Sequence, residues 1–491
     1  MEKKPNIVWL TTDHQVFANH YQFQNEYRGG LKTYEYLAKE GRTYEQAYTV
    51  CPLCTPARAS MLTGMYPHHH GMELNPAKDE HSPLEKDTRL DFDHPEELFA
   101  WALKKSGYRI VQMGKWYGGA KTAADFGWEG FSLPWYGAPL RTEKYKEYLE
   151  RKQLQNPKVE ILWSADEPET VGRIFDLTKP HEMAFGPHHA AGHLLTPKET
   201  HEAYFISDLA CRWLEEYAGS QRNEPFMMKV DVWGPHHPYD VADPFFGRIN
   251  AEKLVEHPSF SEKYENKPSN YAYSKQFWSC MDGMDWGQMS QVLARSYEHA
   301  MMVDDALGRV VEKLESLSLA ENTLIILTAD HGDIVGAHGG LFNKETLMVE
   351  ETMKIPMVMR WDGHIARGEQ CKDFVSNLDL PVTILAAADV QPEYAMDGIN
   401  LFGGRPREHL MCETFGCYKR EFPQRMLRWK NYKYIAHDHD LDEFYDLEKD
   451  PFELHNLICE KSCRDLVKEV ERRLKDSVKQ YENRFMVRGE F

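Results

Sequence analysis

The sequence has no apolar run approaching the ~20 residues that a membrane-spanning helix needs. Met1-Glu2-Lys3-Lys4-Pro5 leads straight into a strand-like stretch, so no secretory leader is expected. Read as it stands, the chain points to the cytoplasm. Cysteine is sparse and irregularly spaced, and nine of them, an odd number, suggest no disulfide framework. Positive charge is in deficit: 58 Lys and Arg face 77 Asp and Glu, for a net charge of −19. That balance argues against general binding to nucleic acid or to an anionic membrane. An anionic substrate would need a local basic pocket inside an acidic shell. There is no internal repeat, no low-complexity tract and no Lys/Arg stripe suited to a long polyanion, and nothing indicates an oligomeric state.

At 491 residues, 42% hydrophobic and 12% aromatic, the chain has a globular composition and exceeds one average core. Two domains are therefore expected. The stretch that organises the rest runs from Cys54 to Thr63 and closes at Gly64. Thr55 is read as an N-cap, Pro56 as the first helical residue and Gly64 as the C-terminal stop. Cys54 would then sit where unpaired N–H groups and a helix dipole meet, an environment that binds anions and favours a thiolate. Arg58, a turn further on, can reach back to the same point. Two other readings stay open: a buried inert Cys, and a C-x-x-C metal or redox pair with Cys51.

Two apolar runs read as buried strands, Asn6 to Thr12 and Thr323 to Thr328. The first leads to Asp13-His14, the second to Asp330-His331. In open α/β sheets ligands gather beyond the carboxyl ends of strands, which places these pairs to act. Tyr108 to Gln112 is another strand, followed by Gly114-Lys115-Trp116-Tyr117-Gly118, where Lys115 suits an anion. Phe226 to Val232 runs into Pro235-His236-His237-Pro238, whose prolines hold one His in place. Tyr66 to Gly71 contains three adjacent His that point different ways and favour loop packing over a shared metal. Helices are expected over Tyr34–Lys39, from Pro95 to Gly107, over Thr200–Tyr217, over Tyr297–Leu317 with its stripe of Ala300, Val303, Leu307, Val310 and Leu314, and over Ser462–Tyr481. Leu133 to Leu195, and Pro238 to Gln291 with Trp278, Met284 and Trp286, read as long excursions that could wall a cleft. Near Arg405 the texture turns to short antiparallel runs, dividing the chain into 1–404 and 405–491.

The Cys-x-Pro-x-Arg segment with Leu62-Thr63-Gly64, together with Gly114-Lys115-Trp116, Pro235-His236-x-Pro238, Asp330-His331 and Tyr445-Asp446-Leu447-x-x-Asp450-Pro451, resembles the sulfatase family of the alkaline phosphatase-like superfamily along nearly the whole chain. The resemblance implies an α/β fold: a large mixed β-sheet sandwiched by helices, with a smaller C-terminal α+β domain of a four-stranded antiparallel sheet and a helix. It implies that Cys54 is converted to formylglycine by the host's formylglycine-generating enzyme. One hydroxyl of the formylglycine hydrate then attacks sulfur, and the other expels sulfate.

The metal set so implied is Asp13, His14, Cys54, Asp330 and His331. Carboxylates suit calcium first, with magnesium, manganese or zinc as alternatives. Cys54, Arg58, Lys115, His236 and Lys344 are the expected catalytic residues. Lys115, His236, Lys344 and Tyr117 are expected at the substrate. Tyr117 stands where the family carries His, and with an unperturbed pKa of about 10 it is a poorer base. His14 stands where the family has Asp or Gln. The expected enzyme is an arylsulfatase-like sulfuric ester hydrolase acting on a small-molecule or saccharide sulfate ester. A phosphonate monoester or phosphodiester hydrolase, and a non-catalytic binding protein with unmodified Cys54, are the alternatives.

Overall fold

A computed structural model describes residues 4–17, 27, 29–75, 89–165, 179–220, 224–277, 283–344, 346–403, 405–417 and 420–478. Its centre is the strand β1 (Asn6–Thr12), every residue of which is buried. Alternation along β1 supplies two cores, because successive side chains point to opposite faces. Val8 and Leu10 join Met228, Val230, Ile325 and Leu327 on one face, while Ile7 and Trp9 join Met227, Leu324 and Ile326 on the other. Both faces are covered, so the strand is apolar throughout.

The large sheet also contains β2 (Arg42–Tyr48), β3 (Arg109–Gly114), β4 (Glu129–Ser132), β8 (Phe226–Asp231), β10 (Thr323–Ala329), β11 (Met357–Arg360) and β12 (Glu369–Ser376). Their order is β12-β2-β11-β10-β1-β8-β3-β4. The central strands β10, β1, β8 and β3 are parallel, and β11 runs antiparallel between β10 and β2. Helices Lys32–Glu40, Glu202–Gly219 and Trp286–Ser316 cover the Val8 face. Helices Cys54–Thr63, Ala100–Lys105 and Leu380–Ala387 cover the Trp9 face.

A separate antiparallel sheet, β13 (His409–Cys417), β14 (Arg420–Trp429), β15 (Tyr432–His437) and β16 (Glu443–Asp446), carries the helix Arg464–Val478. Val467, Val470 and Leu474 of that helix pack on Leu427, Tyr434 and Phe444. This is the mixed-sheet architecture with an α+β appendage that the family resemblance implies.

Several local expectations differ. The stretch from Leu133 to Leu195 is no plain loop: it holds the helix Glu143–Lys152 and the strands β5 (Lys158–Ser164), β6 (His181–Glu182) and β7 (Ala190–Leu194). With β9 (Tyr239–Ala242) these form a third sheet, its pairings joining residues far apart in sequence. The long helix begins at Trp286, eleven residues before the expected start, because Asp285 caps it by accepting from the Gln288 backbone N–H. The segment after Pro95 breaks into a short 3₁₀ turn, Pro95–Glu97, and the helix Ala100–Lys105. Trp278 and the end of the closing helix beyond residue 478 lie outside the described residues. Among the described residues no helix is long and apolar enough to cross a membrane.

Candidate active site

Four adjacent parallel strands deliver their carboxyl ends to one place. Asp330 follows β10, Asp13 follows β1, Asp231 ends β8 and Lys115 follows β3. Backbone bonds hold the ends level: Asp330 N–H donates to Thr12 O (3.2 Å) and Lys115 N–H to Asp231 O (2.8 Å). Gly114 has φ +106°, and a Cβ there would lie 1.9 Å from Asp231 O, so only glycine permits this approach.

Cys54 is the first residue of its helix, not the residue preceding it. Leu53, with extended backbone, is the N-cap, and its own side chain makes no capping bond. Thr55 therefore is not the cap and Pro56 is not the first helical residue. The Thr55 side chain instead pairs with Tyr136 OH (3.0 Å), and its N–H donates to Asn75 Oδ1 (2.9 Å). Gly64 does end the helix, in the left-handed conformation, with its N–H on Ser60 O. Cys54 Sγ lies 3.1 Å from His331 Nε2 and 3.8 Å from Asp13 Oδ1.

Asp13, Cys54, Asp330 and His331, all buried, offer ligand atoms within 4.8 Å of one another. Two carboxylates, one imidazole and the Cys54 position form a donor set that fits a divalent cation. Arg58 stands behind them. Its Nε donates to Asp330 Oδ2 (2.9 Å) and its Nη1 to Asp231 Oδ1 (2.8 Å), while Nη2 lies 3.6 Å from Asp13 Oδ1. Asp330 Oδ1 accepts from the backbone N–H groups of His14 (3.0 Å) and His331 (2.8 Å). Lys115 Nζ pairs with Asp13 Oδ2, and Lys229 Nζ with Asp231 Oδ1.

The two carboxyls of this cluster sit in different fields. Burial would raise Asp13, but Lys115 and Arg58 outweigh it and hold Asp13 well below the usual range. Burial raises Asp330 in spite of Arg58, because Asp13 adds like charge. Burial lowers His331 and keeps the imidazole neutral, as a ligand requires.

Above this cluster opens a cavity of about 620 Å³, lined by Asp13, Cys54, Lys115, His236 and Lys344 among others. Lys344 Nζ lies 3.4 Å from His236 Nε2, and His236 Nδ1 pairs with His237 O (2.7 Å). Burial, then the Lys344 charge, holds His236 well below its ordinary value.

Three expected site residues are placed otherwise than expected. Tyr117 does not line the cavity: its hydroxyl donates to Asp91 Oδ1 (2.5 Å) and its ring packs on Phe92. Arg58 does not line the cavity either: its Nε and Nη1 donate to Asp330 and Asp231, while Nη2 lies 3.6 Å from Asp13 Oδ1 without a hydrogen-bond partner. His14, with φ 62°, falls outside the four-ligand cluster and groups with His236 and His237. The three adjacent His separate as expected, His68 to Glu413, His69 to Asp397 and His70 to Ser60.

Sequence reasoning missed Asp231, although it too ends an apolar strand and the argument used for Asp13 covers it. It also missed Glu202, a buried wall residue that burial pushes up to about 7, and Asn377, which donates to Asp330 O (3.1 Å).

The sequence matches the sulfatase family over residues 5–390 and a family described as N-sulphoglucosamine sulphohydrolase, C-terminal, over residues 336–480. It is 27% identical to an uncharacterised sulfatase, YidJ, of Escherichia coli, across 93% of this chain and 83% of that protein. It is 23% identical to an N-acetylglucosamine-6-O-sulfatase of Bacteroides thetaiotaomicron, across 98% of this chain and 87% of that one. The crystal structure of a phosphonate monoester hydrolase of Agrobacterium radiobacter superposes with a TM-score of 0.71 at 19% identity, covering 97% of this chain and 96% of that one. At that identity the superposition shows a shared fold alone.

Proposed function

The chain belongs to the sulfatase family, and from that premise we propose that it hydrolyses a sulfate monoester of a small saccharide, with formylglycine at Cys54 and a divalent cation held by Asp13, Cys54, Asp330 and His331. The observation that carries this reading is the convergence of those four buried groups, from three separate stretches of chain, beneath one cavity. A bound cation would neutralise charge on the sulfuryl oxygens and favour the ionised nucleophile. Formylglycine, as a hydrate, would supply the attacking hydroxyl.

The chain's own residues do the rest. Arg58 bridges Asp13, Asp231 and Asp330 and so fixes the carboxylates before substrate arrives. Lys115 and Lys344 reach the cavity from distant parts of the sequence and supply the positive charge that an acidic protein must concentrate for an anionic substrate. His236 donates through Nδ1 to a backbone carbonyl, so its Nε2 is an acceptor toward Lys344. The transferable proton is therefore held on Lys344, which serves as general acid for the leaving oxygen. The cavity suits a mono- or disaccharide in volume, and Tyr136 and Trp233 in its lining are residue types that pack against sugar rings. A saccharide sulfate also agrees with the named specificity of the Bacteroides relative.

The test is turnover of N-acetylglucosamine 6-sulfate and 4-nitrophenyl sulfate beside a phosphonate monoester, with mass spectrometry of the Cys54 peptide. Sulfate release by protein carrying the oxidised residue, lost on chelation and in Cys54→Ala, is expected. Full activity with an intact thiol would remove formylglycine from the mechanism. A phosphonate hydrolase is the second reading. It is favoured by the fold shared with the Agrobacterium phosphonate monoester hydrolase, and a large preference for the phosphonate would establish it.

A further inference from the structure

The cavity lining contains a buried acid that the proposed sulfatase chemistry does not use. Glu202 opens the helix Glu202–Gly219, lines the cavity and is only 5% exposed. Its Oε1 accepts from the Gly234 backbone N–H (2.8 Å), and Gly234 O accepts from the Asp13 N–H (3.0 Å). A single residue thus links this carboxyl to the Asp13 cluster. Glu202 Oε2 is buried without a hydrogen-bond partner. Buried polar atoms in folded proteins are nearly always paired, so this one calls for an explanation.

The neighbouring groups are committed elsewhere. His201 Nδ1 accepts from the Ala203 N–H (3.2 Å), so its proton lies on Nε2 and is donated to His299 Nε2 (3.0 Å). Burial keeps both rings neutral, lowering His201 to about 3 and His299 well below its ordinary value. Lys115 pairs with Asp13. Burial raises the Glu202 carboxyl to about 7, although the Gly234 and Trp233 N–H groups pull it down. The helix dipole favours an ionised acid in a first turn, so position on the helix does not account for that rise. Holding Gly234 does not require charge either. A glutamine would accept the same N–H without the cost of burying a carboxylate. What a glutamine lacks is the second acceptor.

We propose that Glu202 determines specificity by accepting, through Oε2, a hydrogen bond from an N–H group on the sugar, so that the preferred substrate is the sulfate of an amino sugar. The inference rests on the saccharide sulfatase reading and adds the group that the sugar must carry. An N–H only donates and an ionised carboxylate only accepts, so the match has one sense. A hydroxyl does both, and a neutral amide side chain would serve it equally well. Charge-assisted hydrogen bonds are the stronger kind. An ammonium therefore offsets the burial of this carboxylate best, and an amide N–H next best.

The test measures kcat/KM of the full-length protein on the monosulfates of glucosamine, N-acetylglucosamine and glucose, and on 4-nitrophenyl sulfate, which carries no such donor. Wild type should favour an amino sugar over the matching glucose ester by roughly ten- to a hundred-fold. The better of the two amino sugars tells whether an ammonium or an amide is read, and this comparison needs no variant. Glu202→Gln keeps an acceptor for Gly234. It should erase the preference, chiefly through KM, and change 4-nitrophenyl sulfate hydrolysis by less than about three-fold. Equal losses on every ester in Glu202→Gln would make Glu202 a clamp for Gly234 and nothing more. That outcome, a preference unchanged in the variant, or a wild type that treats glucose and amino sugar sulfates alike or accepts only the aryl ester, would overturn the proposal and leave the sulfatase reading intact. Failure of wild type on every sulfate ester would instead sink that reading, and this proposal with it.

Discussion

Arg58 and Asp330, 272 residues apart in sequence, are joined by a hydrogen bond of 2.9 Å from Nε to Oδ2, with both side chains essentially sealed from solvent. The same guanidinium pairs with Asp231 and Asp13, so one fork orders three carboxylates that would otherwise repel one another. Removing one member of a buried ionic network leaves the others unpaired, at about 3–5 kcal/mol. Arg58→Ala should therefore lose stability of that order in urea unfolding of the metal-free protein, and cation affinity with it. Arg58→Lys should recover little, because an ammonium cannot make the planar, divergent contacts. A loss below about 1 kcal/mol for Arg58→Ala would mean that the carboxylates are held by their backbone donors alone.

Tyr117 is expected to be dispensable for turnover. Burial pushes its hydroxyl well above the ordinary tyrosine value and Asp91 adds to the effect, so it stays protonated and cannot serve as a base. Tyr117→Phe removes one bond to Asp91, whose carboxylate keeps the backbone N–H groups of Ala120 (2.9 Å) and Lys121 (3.2 Å). Stability should fall by about 1–2 kcal/mol, and kcat/KM should stay within a few-fold of wild type. A loss of two orders of magnitude would return Tyr117 to the mechanism.

A pH dependence is expected away from the site. Burial disfavours a charged His338, but Glu351 at 3.2 Å and Glu262 at 2.8 Å outweigh it and raise the imidazole to about 9. A group raised in the folded state contributes stability in full below its unfolded value near 6.5, and loses it as pH climbs to the folded value. Stability should decline between roughly pH 6.5 and 9 by an amount on the order of 3 kcal/mol. His338→Gln should flatten that decline in thermal or urea unfolding. An equally steep slope in the variant would assign it to other groups.

The C-terminal sheet is expected to be obligatory for folding. We propose a boundary near residue 404, yet the two parts share a core: Leu410, Cys412, Met426 and Ile435 pack on Tyr48, Met348 and Met353. Glu413, held well ionised at about 2 because His68 outweighs burial, ties the small sheet to the helix that follows the Cys54 helix. Residues 1–404 alone would expose that apolar face and should aggregate. A monodisperse fragment with the full-length melting temperature would show two independent units.

Much of the site was legible in one dimension. β1 and β10 are short enough, and apolar enough on both faces, to be recognised as central strands, and each ends on Asp-His, so Asp13 and Asp330 could be assigned together. The Cys54 segment announced itself by residue types at fixed spacing, and Gly64 by the only common way to end such a helix. Asp231 was equally readable, but nothing in its own strand distinguishes a carboxylate that binds Arg58 from one that faces solvent.

The rest depends on contacts between distant segments. Which way Tyr117 turns is decided by Asp91, and which cluster His14 joins is decided by a left-handed backbone and by Asp333. That Lys344 meets His236 is decided by loops that start from different strands. Periodicity reports only whether a side chain faces a core, because it arises from neighbours a few residues away. The amino-acid order therefore determined the central strands, the helix that starts at Cys54 and the acids at the strand ends. Strand order, loop packing and the pairing of charges hundreds of residues apart decided which of those groups meet.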